Sequence, residues 1–284
     1  MKAQLAFWSL FFLSGGAHLW SAEPVESTTR IFKDREGQPL ATQDDREILA
    51  FLKDAEITSS EPISDGITKP FRVEMKGANL SGRAIFRYGE TKGKKAVIDG
   101  ELHLNFHDSA GFEVAAYQMS EMMGLHKVPP ATIREHLGRP GSVQLWIEKA
   151  KTRKQQILDR EIDPNEVDQR LEEHQMKAFD FLIYNFDRHP GNVLVDSEGF
   201  TWWIDHTRSF KPETKVPFLK QVNHIGATFF ARLQEVSDKE IRTAMKPYLS
   251  DLQLGALLKR RRKLVRHFKN LIKKYGEATV IALP

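Results

Sequence analysis

The stretch Phe186–His206, FDRHPGNVLVDSEGFTWWIDH, decides how the rest of the chain is read. Val193-Leu194-Val195 and Phe200-Thr201-Trp202-Trp203 have the β-branched and aromatic content of strands, and Asp196-Ser197-Glu198-Gly199 has the composition of a turn. A hairpin in which Val195 faces Phe200 sets Asn192 opposite Trp203. Asp205, two residues beyond Trp203, then shares a face with Asn192, because side chains alternate along a strand. Diagonal neighbours of this kind lie ~7–8 Å apart. An amide oxygen and a carboxylate at that spacing are able to converge on one oxygen-seeking ion such as Mg²⁺. A slip of one residue in the pairing would send them to opposite faces.

Asp187 stands five positions before Asn192. In the kinase arrangement a catalytic Asp precedes a metal-binding Asn by five residues, and a metal-binding Asp follows near the end of a hairpin. The chemistry requires such a set. An acceptor hydroxyl loses its proton beside a γ-phosphate, and one or two cations neutralise the charge on the group in transit. One Asp-x4-Asn pair is a weak signal, and the added hairpin with its distal Asp makes it a specific one.

The 284 residues suffice for one large core or two modest lobes. Hydrophobic and charged fractions of 40% and 28% are those of a globular chain. A net charge of +4 suits phosphate-bearing ligands, but no basic stripe interleaved with aromatics points to nucleic acid. There is no cysteine, which excludes disulfides, thiolate metal sites and cysteine nucleophiles. No serine sits in a nucleophile-elbow pattern. At the N-terminus Lys2, the apolar run LAFWSLFFL (5–13) and the small residues SGGA (14–17) form a signal-peptide pattern, with Ala22 as a second cleavage candidate. A retained anchor and a buried helix are the alternatives. A secreted or periplasmic location without stable membrane insertion is the expectation.

Composition divides the chain into a signal over 1–22, a polar leader over 23–66, a β-rich lobe over 67–148 and a mainly helical lobe over 149–284. The leader contains one short helix candidate, DDREILAFLKDA (44–55). FRVEMKGANLSGRAIFRYG (71–89) reads as a hairpin, and KGKKAV (92–97) as a solvated loop. FEVAAYQMSEMMG (112–124) is a helix by its apolar spacing, closed by Gly124. GSVQLWIE (141–148) reads as a strand. Asp163-Pro164-Asn165-Glu166 is a helix start signal for a helix reaching Asn185. LQLGALLKRRRKLVRHFKNLIKKYG (252–276) is an amphipathic helix or helix pair. Early strands and late helices give an α+β, bilobal fold.

NFDRHPGN (185–192) and WWIDHTRSF (202–210) resemble the Asp-Arg-His-x-x-Asn and Ile-Asp signatures of phosphatidylinositol 3-/4-kinase-like enzymes. They are also similar to those of the atypical kinases of the secretory pathway, the Golgi casein kinase and xylosylkinase family. That family commonly carries a helix like EVAAYQMSEMMGLHKVPPA (113–131), ending in the same Val-Pro-Pro. The likeness covers roughly 70–210 and implies a protein-kinase-like fold that binds ATP with Mg²⁺ or Mn²⁺. It implies Asp187 as catalytic base, Asn192 and Asp205 as cation ligands, and Arg188 and His189 as supports of the loop. It further implies that Glu113 pairs the phosphate-binding cation on the sheet and that the Gly77–Gly82 hairpin covers the phosphates.

Three features depart from the family pattern, one being the covering hairpin, which has only Gly77 and Gly82 in place of a dense glycine-rich loop. Arg87 in IFRY stands where Lys is usual, and the two are not interchangeable. Lys76 is the alternative phosphate-binding cation. His206-Thr207-Arg208 replaces the glycine that usually follows the metal-binding Asp. The absence of cysteine sets the chain apart from disulfide-rich secretory relatives and suggests a bacterial exported protein.

The remaining signals are weaker. Trp146 is placed to stack on an adenine or to fill core. Trp202 and Trp203 read as core. His103 and His107 lack the third ligand of a zinc site. Lys259–Lys263 is a solvated helix face or a contact to an anionic surface. The combined reading is a phosphotransferase acting on a protein Ser/Thr or sugar hydroxyl. Its rivals are an exported pseudokinase that binds nucleotide and regulates a partner, and a nucleotidyl transferase.

Overall fold

The computed structural model describes residues 30–63, 70–98, 101–162, 171–215 and 217–282, without the side chains of 94–98, 101–106, 217 and 218. The expected signal segment and the helix start at Asp163 lie outside the described residues. Among those residues no helix is long and apolar enough to cross a membrane.

The chain opens with helix α1 (Asp45–Asp54), capped by the Asp44 carboxylate, which accepts from Arg46 N. Strands β1 (Glu56–Pro62), β2 (Phe71–Lys76) and β3 (Ser81–Tyr88) follow, then β4 (Glu90–Ile98) and β5 (Glu101–Ser109). Helix α2 (Gly111–Met122) leads to β6 (Ala131–His136) and β7 (Arg139–Leu145). One antiparallel sheet has the order β1-β2-β3-β7-β6, and β4–β5 is a separate hairpin.

β4 corrects the reading of KGKKAV as loop. The segment shows no alternating apolar face, and its extended form comes from pairing with β5. β1 corrects the boundary at residue 67, because the sheet's first strand lies in the segment taken as leader. The leader also supplies core: Phe32, Leu40, Ile48, Phe51 and Leu52 are buried with Val73, Met75, Ala84 and Phe86. Gly141 on β7 sits where only hydrogen fits, since a Cβ there would lie 2.1 Å from the Arg87 carbonyl oxygen. Gly124 closes α2 at φ 68°, as the left-handed cap requires.

The second half is mainly helical. β8 (Lys151–Thr152) and α3 (Arg153–Leu158) precede α4 (Leu171–Ile183) and a 3-10 turn at Pro190–Asn192. β9 (Val193–Val195) and β10 (Thr201–Trp203) form the expected hairpin, and β8 pairs with β9. β11 (Ile225–Gly226), α5 (Ala227–Glu235), α6 (Asp238–Met245), the single 25-residue α7 (Asp251–Tyr275), α8 (Glu277–Val280) and β12 (Ile281–Ala282) complete the chain. Ser250 and Gln253 form a capping box that starts α7.

The hairpin register differs by one residue from the sequence reading, with Val195 facing Thr201 and Trp203 facing Val193. The turn is the cause. Asp196 N donates to the Phe200 carbonyl at 3.0 Å, leaving a three-residue loop with Gly199 at φ 78°. The Asp196 carboxylate accepts from Glu198 N, Phe200 N and Trp202 Nε1 at 2.9–3.0 Å. Trp202 enters the core of the β-rich lobe and Trp203 that of the helical lobe, so the hairpin belongs to both.

Candidate active site

The shifted register pairs Asn192 with Ile204, whose N–H donates to the Asn192 carbonyl at 3.1 Å. Strand alternation alone would then turn Asp205 away from Asn192. Alternation stops at Asp205, however, which adopts φ 62°, a left-handed conformation that Asp tolerates. Its charge reaches both Asp187 and Asp108 and raises the pKa of each, although burial is the larger cause in both.

Asp187 lies in the loop between α4 and β9. One carboxylate oxygen is 3.4 Å from Arg208 Nη1, while Oδ1 is buried without a hydrogen-bond partner among the described residues. Arg208 reaches across to Asp108 at 3.4 Å, and the Lys211 ammonium sits 4.2 Å from the centre of the Phe186 ring. Burial pushes the Lys211 pKa down, opposed by the charges of Glu213 and Asp187.

Arg188 organises this loop. Its Nε and Nη2 donate to the two carboxylate oxygens of Asp180, both at 3.0 Å, and Nη1 donates to the carbonyls of Asn192 and Ile204, both at 2.8 Å. One planar guanidinium thus ties α4 to both hairpin strands. Nη2 also lies 2.9 Å from His206 Nε2. His189 is exposed and accepts from Gly191 N through Nδ1, which caps the 3-10 turn.

Across the cleft, Arg87 Nε lies 3.6 Å from Glu113 Oε1, with the two side chains 9% and 0% exposed. Glu113 stands in the first turn of α2, where a negative charge suits the helix dipole. His206 N donates to it at 3.0 Å, and His206 Nδ1 is 3.4 Å away. Burial alone would raise the Glu113 pKa; the Arg87 charge and the His206 hydrogen bonds outweigh it and hold the carboxyl well below the usual range. Arg87 Nη1 is buried with no hydrogen-bond partner among the described residues.

Lys76 is not part of this arrangement. It pairs with Ser81 at the far end of β2, six residues along β3 from Arg87, or about 20 Å at 3.3 Å per residue. The Gly77–Gly82 turn shares that far end and packs on Phe51. The register corrects both expectations: Pro62 and Phe71, at the facing ends of β1 and β2, align with Phe86 beside Arg87 instead. Trp146 follows β7, half-buried, its N–H donating to the Arg83 carbonyl at 3.0 Å. The Arg83 guanidinium lies 5.5 Å from its ring centre and pairs with Glu148.

Sequence reasoning missed Asp108 and Lys211 and noted Arg208 only as part of the loop that replaces a glycine. Asp108 sits on β5 with no local pattern to mark it. Among the described residues no three His, Cys, Asp or Glu side chains converge on a metal site. The expected pair, one amide and one carboxylate, would leave most of a cation's shell to ligand oxygens and water. A cavity of about 380 Å³ opens on the other side of the Asp187 loop, lined by Met176, Asn185, Phe186 and Val193 beside the Arg153–Glu173 pair, and it includes neither Asp187 nor Arg87.

No protein-family model matches the chain, and no curated protein matches it. Solved structures do. A structure of hydra Fam20 with sugar aligns at a TM-score of 0.63 and 16% identity, over 85% of this chain and 94% of that one. The Golgi casein kinase aligns at 0.62 and 16% identity, over 84% of this chain and 79% of that one, and its Mn/ADP-bound form at 0.61. The Helicobacter pylori proinflammatory kinase CtkA aligns at 0.50 and 13% identity, over 78% and 98%. The chain has the α+β, bilobal fold of the Fam20-type atypical kinases. At these identities the likeness is one of fold, and the chemistry rests on the residues in the cleft.

Proposed function

We propose that this chain is an ATP-dependent phosphotransferase that moves the γ-phosphoryl group to a hydroxyl of a protein Ser/Thr or a sugar. The observation that carries the reading is the buried Arg87–Glu113 pair, tied through His206 to the segment that carries Asp205, whose charge in turn reaches Asp187. Nothing in a bare scaffold calls for two buried charges on β3 and α2 tied to that segment. The unpartnered atoms suit the same chemistry. Arg87 Nη1 is a donor that a phosphate oxygen would satisfy, and Asp187 Oδ1 is an acceptor for a hydroxyl proton. Leaving either unmet costs about 1–3 kcal/mol.

Asn192 and Asp205 would hold Mg²⁺ or Mn²⁺, which when bound neutralises charge on the phosphates. Arg87, positioned by Glu113, binds phosphate; Arg188 and His189 hold the Asp187 loop; Trp146 borders the adenine end. The solved relatives bear on the ligands: one Golgi casein kinase structure holds Mn and ADP, and the hydra Fam20 structure holds sugar. The Golgi setting named for the casein kinase and the N-terminal pattern together support a secreted or periplasmic protein.

A nucleotide-binding pseudokinase is the second reading. It is favoured by Arg208, whose guanidinium engages the Asp187 carboxylate at 3.4 Å where a glycine is usual in the family pattern. Two measurements divide the readings. ATP with Mn²⁺ should raise the melting temperature, and radiolabelled phosphate should pass to casein or a glycan with wild type but not with Asp187→Ala. Binding without transfer supports the pseudokinase. Neither binding nor transfer ends both readings.

A further inference from the structure

His206 occupies a place that the reaction scheme leaves without a task. It is 0% exposed and touches a different charged group at each ring nitrogen. Nε2 is 2.9 Å from Arg188 Nη2, and Nδ1 is 3.4 Å from Glu113 Oε2. An arginine only donates, so Nε2 accepts, and the ring proton sits on Nδ1 facing the carboxylate. This tautomer follows from the two partners. The backbone adds a third tie, since His206 N donates to Glu113 Oε1 at 3.0 Å.

A continuous chain of buried polar groups results. It runs from Arg87 on β3 through Glu113 on α2 and His206 to Arg188, and ends at Asp180 on α4. One end would contact phosphate and the other holds the loop that carries Asp187. We propose that His206 is a positioning residue that couples the nucleotide cradle in the β-rich lobe to the Asp187 loop in the helical lobe. This rests on the phosphotransferase reading for its consequence but not for its geometry. His206 acts through its two neighbours and touches no reacting atom. A phenylalanine there would fill the space without linking the lobes, whereas a neutral imidazole donates at one ring nitrogen and accepts at the other.

Two conservative variants separate its two arms in the full chain. The His206→Asn amide N–H overlays Nδ1, keeping the donor to Glu113 and losing the acceptor for Arg188. The His206→Gln carbonyl reaches the Nε2 position, keeping that acceptor and losing the donor. With His206→Asn the transfer rate at saturating ATP should fall about tenfold or more while the ATP dissociation constant moves less than threefold. His206→Gln should show the reverse.

Two readouts need no activity. In ¹⁵N-histidine spectra His206 should carry its proton on Nδ1 with an unprotonated Nε2. In urea titrations Glu113→Gln and Arg188→Met should be non-additive in the wild-type background and additive in His206→Leu. Additivity in both backgrounds, or a proton on Nε2, overturns the proposal. A wild type that binds no nucleotide would defeat the phosphotransferase reading, while the spectra and the cycle still decide whether His206 couples the lobes.

Discussion

At the scale of single residues, Asp187 sets the pH dependence. Burial and then the Asp205 charge raise its pKa above the ordinary 3.8, with Arg208 opposing. Since the folded value exceeds the unfolded one, this carboxyl favours the fold below about pH 4 and loses that contribution as pH rises through the folded value. A base works ionised, so the acid limb of kcat/KM should lie above about pH 4. Arg208→Met should move that limb further up, and a pH–rate profile that does not shift would contradict this. Arg87→Met should weaken ATP binding about tenfold or more, whereas Lys76→Met should leave it within about twofold, measured by calorimetry. The two cations illustrate what sequence can and does not reveal. That Glu113 pairs a cation on the sheet followed from the family resemblance, with Arg87 and Lys76 both open. Which of the two lies beside Glu113 depended on strand register, fixed by pairs far apart in sequence.

Elements tell a similar story. Helix α2, the two central hairpins and the long C-terminal helix were visible from apolar spacing, with Gly124 as the closing residue of α2. β1 and β4 were not, because both are polar strands defined by their neighbours. The β9–β10 register slipped by one for a local reason, the grip of the Asp196 carboxylate on Phe200 N. Asp196→Ala removes three acceptor contacts in a buried turn and should cost about 2–4 kcal/mol in a urea titration. Gly141→Ala forces β7 away from the Arg87 carbonyl and should destabilise by about 1–3 kcal/mol. It should also weaken nucleotide binding, since β3, the strand that β7 is pushed away from, carries Arg87.

Across the whole molecule, the basic run on α7 acts as internal bracing. Arg260 is 0% exposed and donates to the carbonyls of Leu182, Lys211 and Glu213 at 2.6–2.9 Å, with burial lowering its pKa to about 10. Arg261 and Arg262 reach Asp238, and Lys263 reaches the Thr214 carbonyl. Arg260→Met should therefore lower stability by about 3 kcal/mol, read by denaturant midpoint, by orphaning carbonyls at the end of α4 and beyond Arg208. Spacing marked this run as surface, which holds for Lys259, Arg262 and Lys263, while the packing of α7 against α4 turns Arg260 inward. The adjacent indoles of Trp202 and Trp203 have a consequence of their own. A peptide unit with one neighbour sealed in each of two cores gives neither half a way to melt by itself. Calorimetry should record one endotherm rather than two, and whatever breathing admits nucleotide has to pivot around those rings without parting them.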